Sequence, residues 1–180
     1  MVTEVDNYLK LKFHAKEPKV VLSVLVNQDG TSPLLTENKI VITPVAFEQE
    51  RIQTGSVTYQ AAGSQVFEAR NVPVHLNVSL LFAANFSGEY LHEALRYLSL
   101  VISFFQGKHV FTLSNTPALQ GTAIDKLVFE LQNLTLQDKS HLWGMLGAKY
   151  IPSVLYKMRM VTITQDALVE VVPAVTQFAK

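Results

Sequence analysis

The sequence predicts an α+β fold: a mostly antiparallel β-sheet packed against two or three helices, with a projecting polar hairpin or long loop. Three observations carry that expectation. An apolar/polar alternation of period two runs through residues 74–84. A helical period takes over after Ser87, and strand-like apolar runs outnumber helical stretches along the chain.

The elements follow in order. KVVLSVLV at 19–26 is an apolar run closed by Asn27, Gln28, Asp29 and Gly30, a turn composition. Residues 39–47 form a second strand, where Pro44 cannot donate to a ladder and so predicts an edge, a bulge or a bend. TSPLLTEN between them is a loop whose two leucines need somewhere to pack. RIQTGSVTYQAAGSQVFEAR at 51–70 is polar and broken by glycine, which predicts a long loop or projecting hairpin that adds nothing to a core.

In the 74–84 strand, Val74, Leu76, Val78, Leu80, Phe82 and Ala84 face one side, while His75, Asn77 and Ser79 face the other. Leu81 and Ala83 make both faces apolar near its end, the mark of a central strand covered twice. Next comes a helix with Leu91, Ala94, Leu95, Leu98, Val101, Ile102 and Phe105 in one broad stripe. Ser87 is placed to cap its start and Gly107 to stop it.

A short strand at 109–113, a turn in TPALQG and an alternating strand at 126–133 lead to a second helix. Thr135 caps that helix with Asp138 as its acidic partner three residues on. Leu136, Leu142, Trp143 and Leu146 form its apolar side, and Gly147 ends it. The last strong strand is 153–163, with Val154, Tyr156, Met158 and Met160 on one face and Leu155, Lys157, Arg159 and Val161 on the other.

Composition narrows the function. The 180 residues include no cysteine, which removes disulfide scaffolds, thiolate metal sites and cysteine nucleophiles. Lys+Arg 15 balance Asp+Glu 15, so no overall field draws nucleic acid or an anionic membrane. Only 17% of residues are charged, against about 25% in soluble domains. A neutral, weakly charged chain has little repulsion to keep copies apart, so much of its surface is expected to meet other subunits. The first residues lack the apolar core and cleavage site of a signal peptide, and the most apolar stretch, near 94–105, is too short to span a bilayer. The chain is therefore expected to be cytoplasmic at synthesis, without membrane insertion.

No catalytic, cofactor-binding or metal-ligating set emerges. His14, His75, His92, His109 and His141 show no metal-ligand spacing. Glu48 with Glu50, and Glu89 with Glu93, sit among polar residues, where ordinary solvated acids are expected rather than a raised pKa. There is no GxSxG elbow and no Gly-rich phosphate loop. Lys139, Lys149, Lys157 and Arg159 outnumber Asp138 over 138–159, but that density is low for neutralising many phosphates, so no nucleic-acid partner is expected. Trp143, Tyr150 and Tyr156 read either as core filler or as the aromatic centre of an interface.

The segment LTLQDKSHLWGMLGAKYIPSVLYKMRMVTI at 134–163 resembles the end of the tail-terminator or cap protein family of contractile injection systems. The matching positions are Leu134, Thr135, Leu136, Trp143, Gly147, Tyr150, Pro152, Ser153 and Tyr156. Upstream, VPVHLNVSLLFAANFSGEYLHEALRYLSLVISFF at 72–105 fills the family's strand-to-helix place. The resemblance covers roughly 19–163 and is strongest over 72–163. The ordered set carries it rather than any one residue. Two departures stand out: only a short first helix, at 2–12, replaces a longer one, and Leu80, Leu81 and Phe82 stand where the family often has Leu–Tyr–Leu.

The resemblance implies one tail-terminator-like domain over 1–180, a structural protein without enzymatic activity or cofactor. It implies a ring, commonly a homohexamer, that closes the distal end of the inner tube and sheath of a phage tail-like particle. Its partners would be copies of itself and the sheath and inner-tube proteins. A baseplate or tube adaptor of the same kind of particle is the first alternative, and a small hydrolase or ligand-binding domain the second. Arg51, Arg70, Trp143, Tyr150, Lys157 and Arg159 are the interface candidates, in three groups: the polar hairpin, the second helix with its following loop, and the basic face of the last strand.

Overall fold

The chain opens on helix α1 (Val2–Phe13), followed by strands β1 (Val20–Leu22), β2 (Lys39–Gln49), β3 (Val57–Ala61), β4 (Val66–Asn71) and β5 (Val74–Asn85). Helix α2 (Leu91–Gly107) comes next, then β6 (Val110–Thr112), β7 (Lys126–Gln132), helix α3 (Leu136–Met145), β8 (Ser153–Ile163) and β9 (Leu168–Pro173). This computed structural model describes residues 1–14, 16–33, 37–50, 57–61, 66–71, 74–122, 124, 126–163 and 168–173. For 57–61, 66–71, 74, 160–163 and 168–173 it describes the backbone only. The two leucines of TSPLLTEN and Arg51 lie outside the described residues.

The main sheet has six strands in the order β1-β2-β5-β8-β7-β6. All its pairings are antiparallel except β1 with β2. The α+β, mostly antiparallel expectation is met, with that one parallel edge as its exception. The apolar run at 19–26 keeps ladder pairing only over Val20–Leu22. Leu25 then leaves the ladder and packs with Val41, Leu81, Ala83 and Trp143. Pro44 lies past the last β1–β2 pair, and the β2–β5 register shifts between Pro44 and Ala46. The missing N–H is thus accommodated by a bulge next to an edge that has run out of partner.

The central strand β5 is covered on both faces at its apolar end, as the alternation predicts. Leu80, Phe82 and Ala84 belong to one core, with residues of α1 and α2, and Leu81 and Ala83 to a second one with Trp143 of α3. Phe105 is the aromatic hub of the first core. Its ring centroid lies 5.3 Å from Phe82, 4.8 Å from Phe129 and 4.5 Å from Tyr156. A bulge between Leu76 and Val78 in the β5–β8 pairing brings Leu76 opposite Val161, so the simple alternation expected through 153–163 breaks there.

Helix α1 is short, as expected, and buries Val5 and Leu9. It also buries an acid. Asp6 Oδ1 accepts the Lys19 N–H at 2.6 Å and the Val20 N–H at 3.0 Å, and Asp6 Oδ2 pairs with Lys10 Nζ at 2.8 Å. Helix and edge strand are joined through this one carboxylate. Burial alone would raise its pKa, but the Lys10 ammonium and the two backbone N–H groups outweigh it and hold it below 3.8. A depressed folded pKa stabilises the fold above the unfolded value, and that contribution is lost as pH falls through the folded one. Asp6→Ala is therefore expected to lower stability by about 2–3 kcal/mol at pH 7, with the two backbone bonds and the Lys10 pair lost. Denaturant titrations at several pH values check this, because the gap between variant and parent should shrink below about pH 4.

Of the stretch at 51–70, expected as a long loop or a projecting hairpin, the described residues form the antiparallel strands β3 and β4. They are one part of a three-stranded sheet, ordered β3-β4-β9, whose third strand comes from the C-terminal segment. Each arm strand adjoins a central strand in sequence: β2 leads into β3, β4 into β5, and β8 into β9. The arm therefore repeats the neighbour order β2-β5-β8 of the main sheet.

Candidate assembly surfaces

Helix α3 starts on a complete capping box. The Asp138 N–H donates to Thr135 Oγ1 at 3.1 Å, and the Thr135 N–H donates to Asp138 Oδ2 at 3.1 Å. The Thr135 hydroxyl and N–H hold the Asp138 carboxyl below the usual carboxylate value. At the other end, Gly147 takes a left-handed φ of 63°, which a Cβ would strain. Trp143 is 5% exposed, so it is core rather than free interface. Leu142 and Leu146 pack beside it, but Leu136 is 85% exposed and off the apolar side where the pattern placed it. Two helical turns, about 10 Å, separate Leu136 from Trp143, and only the C-terminal half of α3 joins the core.

What remains on the surface there is an aromatic-apolar patch. Tyr150 is 64% exposed, and its ring stands edge-on to Trp143 at 5.6 Å and 73°. Leu136, Lys139, Ser140, Trp143 and Tyr150 line one shallow cleft. The structure thus brings together the second group of candidates, with Trp143 as its floor and Tyr150 as its accessible part.

The basic face of β8 is neutralised rather than free. Lys157 Nζ reaches Glu48 Oε2 at 2.6 Å, across β5, and Arg159 Nε lies 3.3 Å from Glu130 Oε2 on β7. At Lys157 and Arg159 the local excess of cations over 138–159 is therefore answered by acids outside that segment, which removes the electrostatic basis for phosphate binding at those two residues. Exposed pairs of this kind contribute about 0.2–1 kcal/mol each. Replacing Lys157 and Arg159 together by Glu is expected to leave the monomer folded, since thermal melting should fall only slightly, but to set four carboxylates on one face and weaken assembly. Unchanged sedimentation of the assembly would show that this face only meets water.

Arg70 is placed by register opposite Thr58 of β3 and Leu168 of β9. Its group, the hairpin, forms the arm described above.

A third surface was not anticipated. Helix α2 buries Ala94, Tyr97, Leu98, Val101 and Phe105, whereas Leu91 (52%), Leu95 (53%) and Ile102 are exposed. The stripe that the apolar period groups together is split, because α1 packs on the opposite flank. Phe13 stacks on Tyr97 at 3.9 Å, and Tyr8 meets Phe104 at 5.4 Å. That contact turns α2 toward Tyr97 and leaves Leu91, Leu95 and Ile102 outside. Ser87 does not cap the helix with its side chain. A 3-10 turn, Gly88–Tyr90, leads in, and the Ser87 N–H donates to Asn38 Oδ1 at 3.0 Å. Ile102 shares a cleft with Leu131 of β7, itself half exposed. Among the described residues, no three His, Asp or Glu are grouped to hold a metal, and no helix is long and apolar enough to cross a membrane.

A two-faced sheet with helices on both sides, a three-stranded second sheet and uncovered apolar patches on both layers define an α+β protein. The particular family follows from the sequence. The family model described as the Pvc16 N-terminal domain matches residues 3–177, and the chain belongs to that family. The resemblance to the terminator or cap family is thereby borne out.

Two solved structures share the fold over 100% of this chain. One is described as the PVC sheath/tube terminator in the extended state of an extracellular contractile injection system, with a TM-score of 0.57 at 10% identity. The other is described as the anti-feeding prophage cap, a tube terminating cap, with a TM-score of 0.52 at 13% identity. The chain spans 62% and 61% of their respective lengths. At such identities the likeness establishes the fold. No curated protein sequence matches the chain.

Proposed function

We propose that this chain is a structural cap subunit that forms a ring closing the distal end of the inner tube and sheath of a contractile injection system. The observation that carries this reading is the fold, shared over the whole chain with two tube-terminating proteins, in a member of the Pvc16 N-terminal domain family. The surfaces support it. A ring needs two different, complementary faces on each subunit. Here the α2 flank and the Trp143–Tyr150 patch belong to opposite layers of the sheet. Net charge +0 leaves little repulsion between copies.

In this reading the ring is a homohexamer made in the cytoplasm, its partners are the sheath and inner-tube proteins, and it acts by binding rather than by catalysis. Native mass measurement and negative-stain imaging, alone and with sheath and tube proteins, test it. Six-copy rings at one end of the tube are expected. A strictly monomeric protein that associates with neither partner would overturn the reading, and labelling at the baseplate end would replace it with the adaptor.

A further inference from the structure

Among the described residues the arm ends in two different open edges, since β3 and β9 each pair on one side only, with β4 between them. The main sheet guards its own edges by brevity, since β1 and β6 have three residues each. The arm is guarded less. β3, VTYQA, carries no charge or proline, and β9, LVEVVP, carries one charge, Glu170, and has its proline, Pro173, only at its last position. Strands of five and six residues with high β-propensity and almost no charge are templates for pairing with another chain. A three-stranded sheet is also near the lower limit of independent stability, so added strands would stabilise it.

Direction selects the partner strand. β3 and β9 are each antiparallel to β4, so they run parallel to one another. Setting β9 of one copy beside β3 of the next, with both arms in the same orientation, continues the sheet through a parallel pair. The contact is head to tail and uses two unlike edges, so repetition closes a ring when the rotation allows. Pairing β9 with β9 would instead be self-complementary and stop at a dimer.

We propose that copies of this chain join by strand addition, β9 of one arm onto β3 of the next, an inference that rests on the ring reading and specifies how the ring is joined. The cysteine-free sequence allows a direct test. Within one arm β3 and β9 are two strand spacings apart, about 9–10 Å. That exceeds the roughly 7 Å Cα separation a disulfide can bridge. A chain carrying Tyr59→Cys with Val171→Cys, or Thr58→Cys with Val171→Cys to cover the other strand face, can therefore crosslink only between copies.

After mild oxidation of the native-mass-verified assembly, one of these doubles is expected to run as a ladder of covalent oligomers on a denaturing gel, collapsing to monomer on reduction. Each single variant is expected to stay monomeric on that gel. A ring by native mass with no crosslink in either double overturns strand addition and leaves the ring reading standing. A dimer from Val171→Cys alone overturns it in favour of β9–β9 pairing. A monomer that binds neither tube nor sheath overturns both readings.

Discussion

Replacing Trp143 by alanine is expected to cost about 3–5 kcal/mol of monomer stability, the range for deleting a large aromatic from a core. The second core is thin. Its buried residues are Leu25, Val41, Leu81, Ala83 and Trp143, with Leu142, Leu146, Ala148, Ile151 and Leu155 partly buried around them. None of the other four buried members is aromatic, so none can swing in to fill the space an indole leaves. α3 is also attached to the sheet mainly through that ring and its two leucine neighbours. The loss would consume a large part of the 5–15 kcal/mol by which domains are stable, and lower the melting temperature by roughly 10 °C. Chemical denaturation of the isolated protein measures it. Trp143→Phe should lose less than half as much. A near-zero loss for alanine together with lost assembly would mean that the ring acts between subunits rather than within one.

Local signals were legible and distant ones were not. The capping box at Thr135 and Asp138 lies within four residues, and the structure forms it as the pattern predicts. The alternation at 74–84 is equally local, and its doubly apolar end marks a strand that serves both cores, as its neighbour β2 does through Ile40 and Ile42 on one side and Val41 on the other. The α2 stripe failed for a different reason. Apolar residues occur on both flanks of that helix, and the flank that is covered depends on Tyr8 and Phe13 of α1, some ninety residues earlier. The partners of Lys157 and Arg159 are Glu48 and Glu130, which no spacing rule connects to them. β9 pairs with β4 about a hundred residues back, so the three-stranded arm showed in sequence only as a hairpin. Candidate interfaces inherit this limit: residue type alone left Trp143 open between core and interface until its burial decided it, and the exposed Leu91–Leu95 pair is defined by what packs elsewhere.

That pair supports the second large effect. Leu91→Asp combined with Leu95→Asp is expected to leave the monomer within about 1 kcal/mol of its parent, because both side chains already meet water. Leu91 is the first residue of α2, where an acid is favoured by the helix dipole, and an interior Asp costs only a few tenths of a kcal/mol in propensity. Assembly should respond very differently. If the flank of Leu91, Leu95 and Ile102 is buried in the ring, each carboxylate must be desolvated without a partner, at a cost of about 2 kcal/mol or more apiece. Together they would weaken subunit association about a thousandfold. Sedimentation against protein concentration measures that shift, and thermal melting of the monomer supplies the control. Leu98→Asp, one turn on at a buried position, should instead unfold the chain, which separates the flank from the core beneath it. Unaltered association of the double variant would assign the flank to solvent and leave the Trp143–Tyr150 patch and the arm edges as the surfaces through which copies meet.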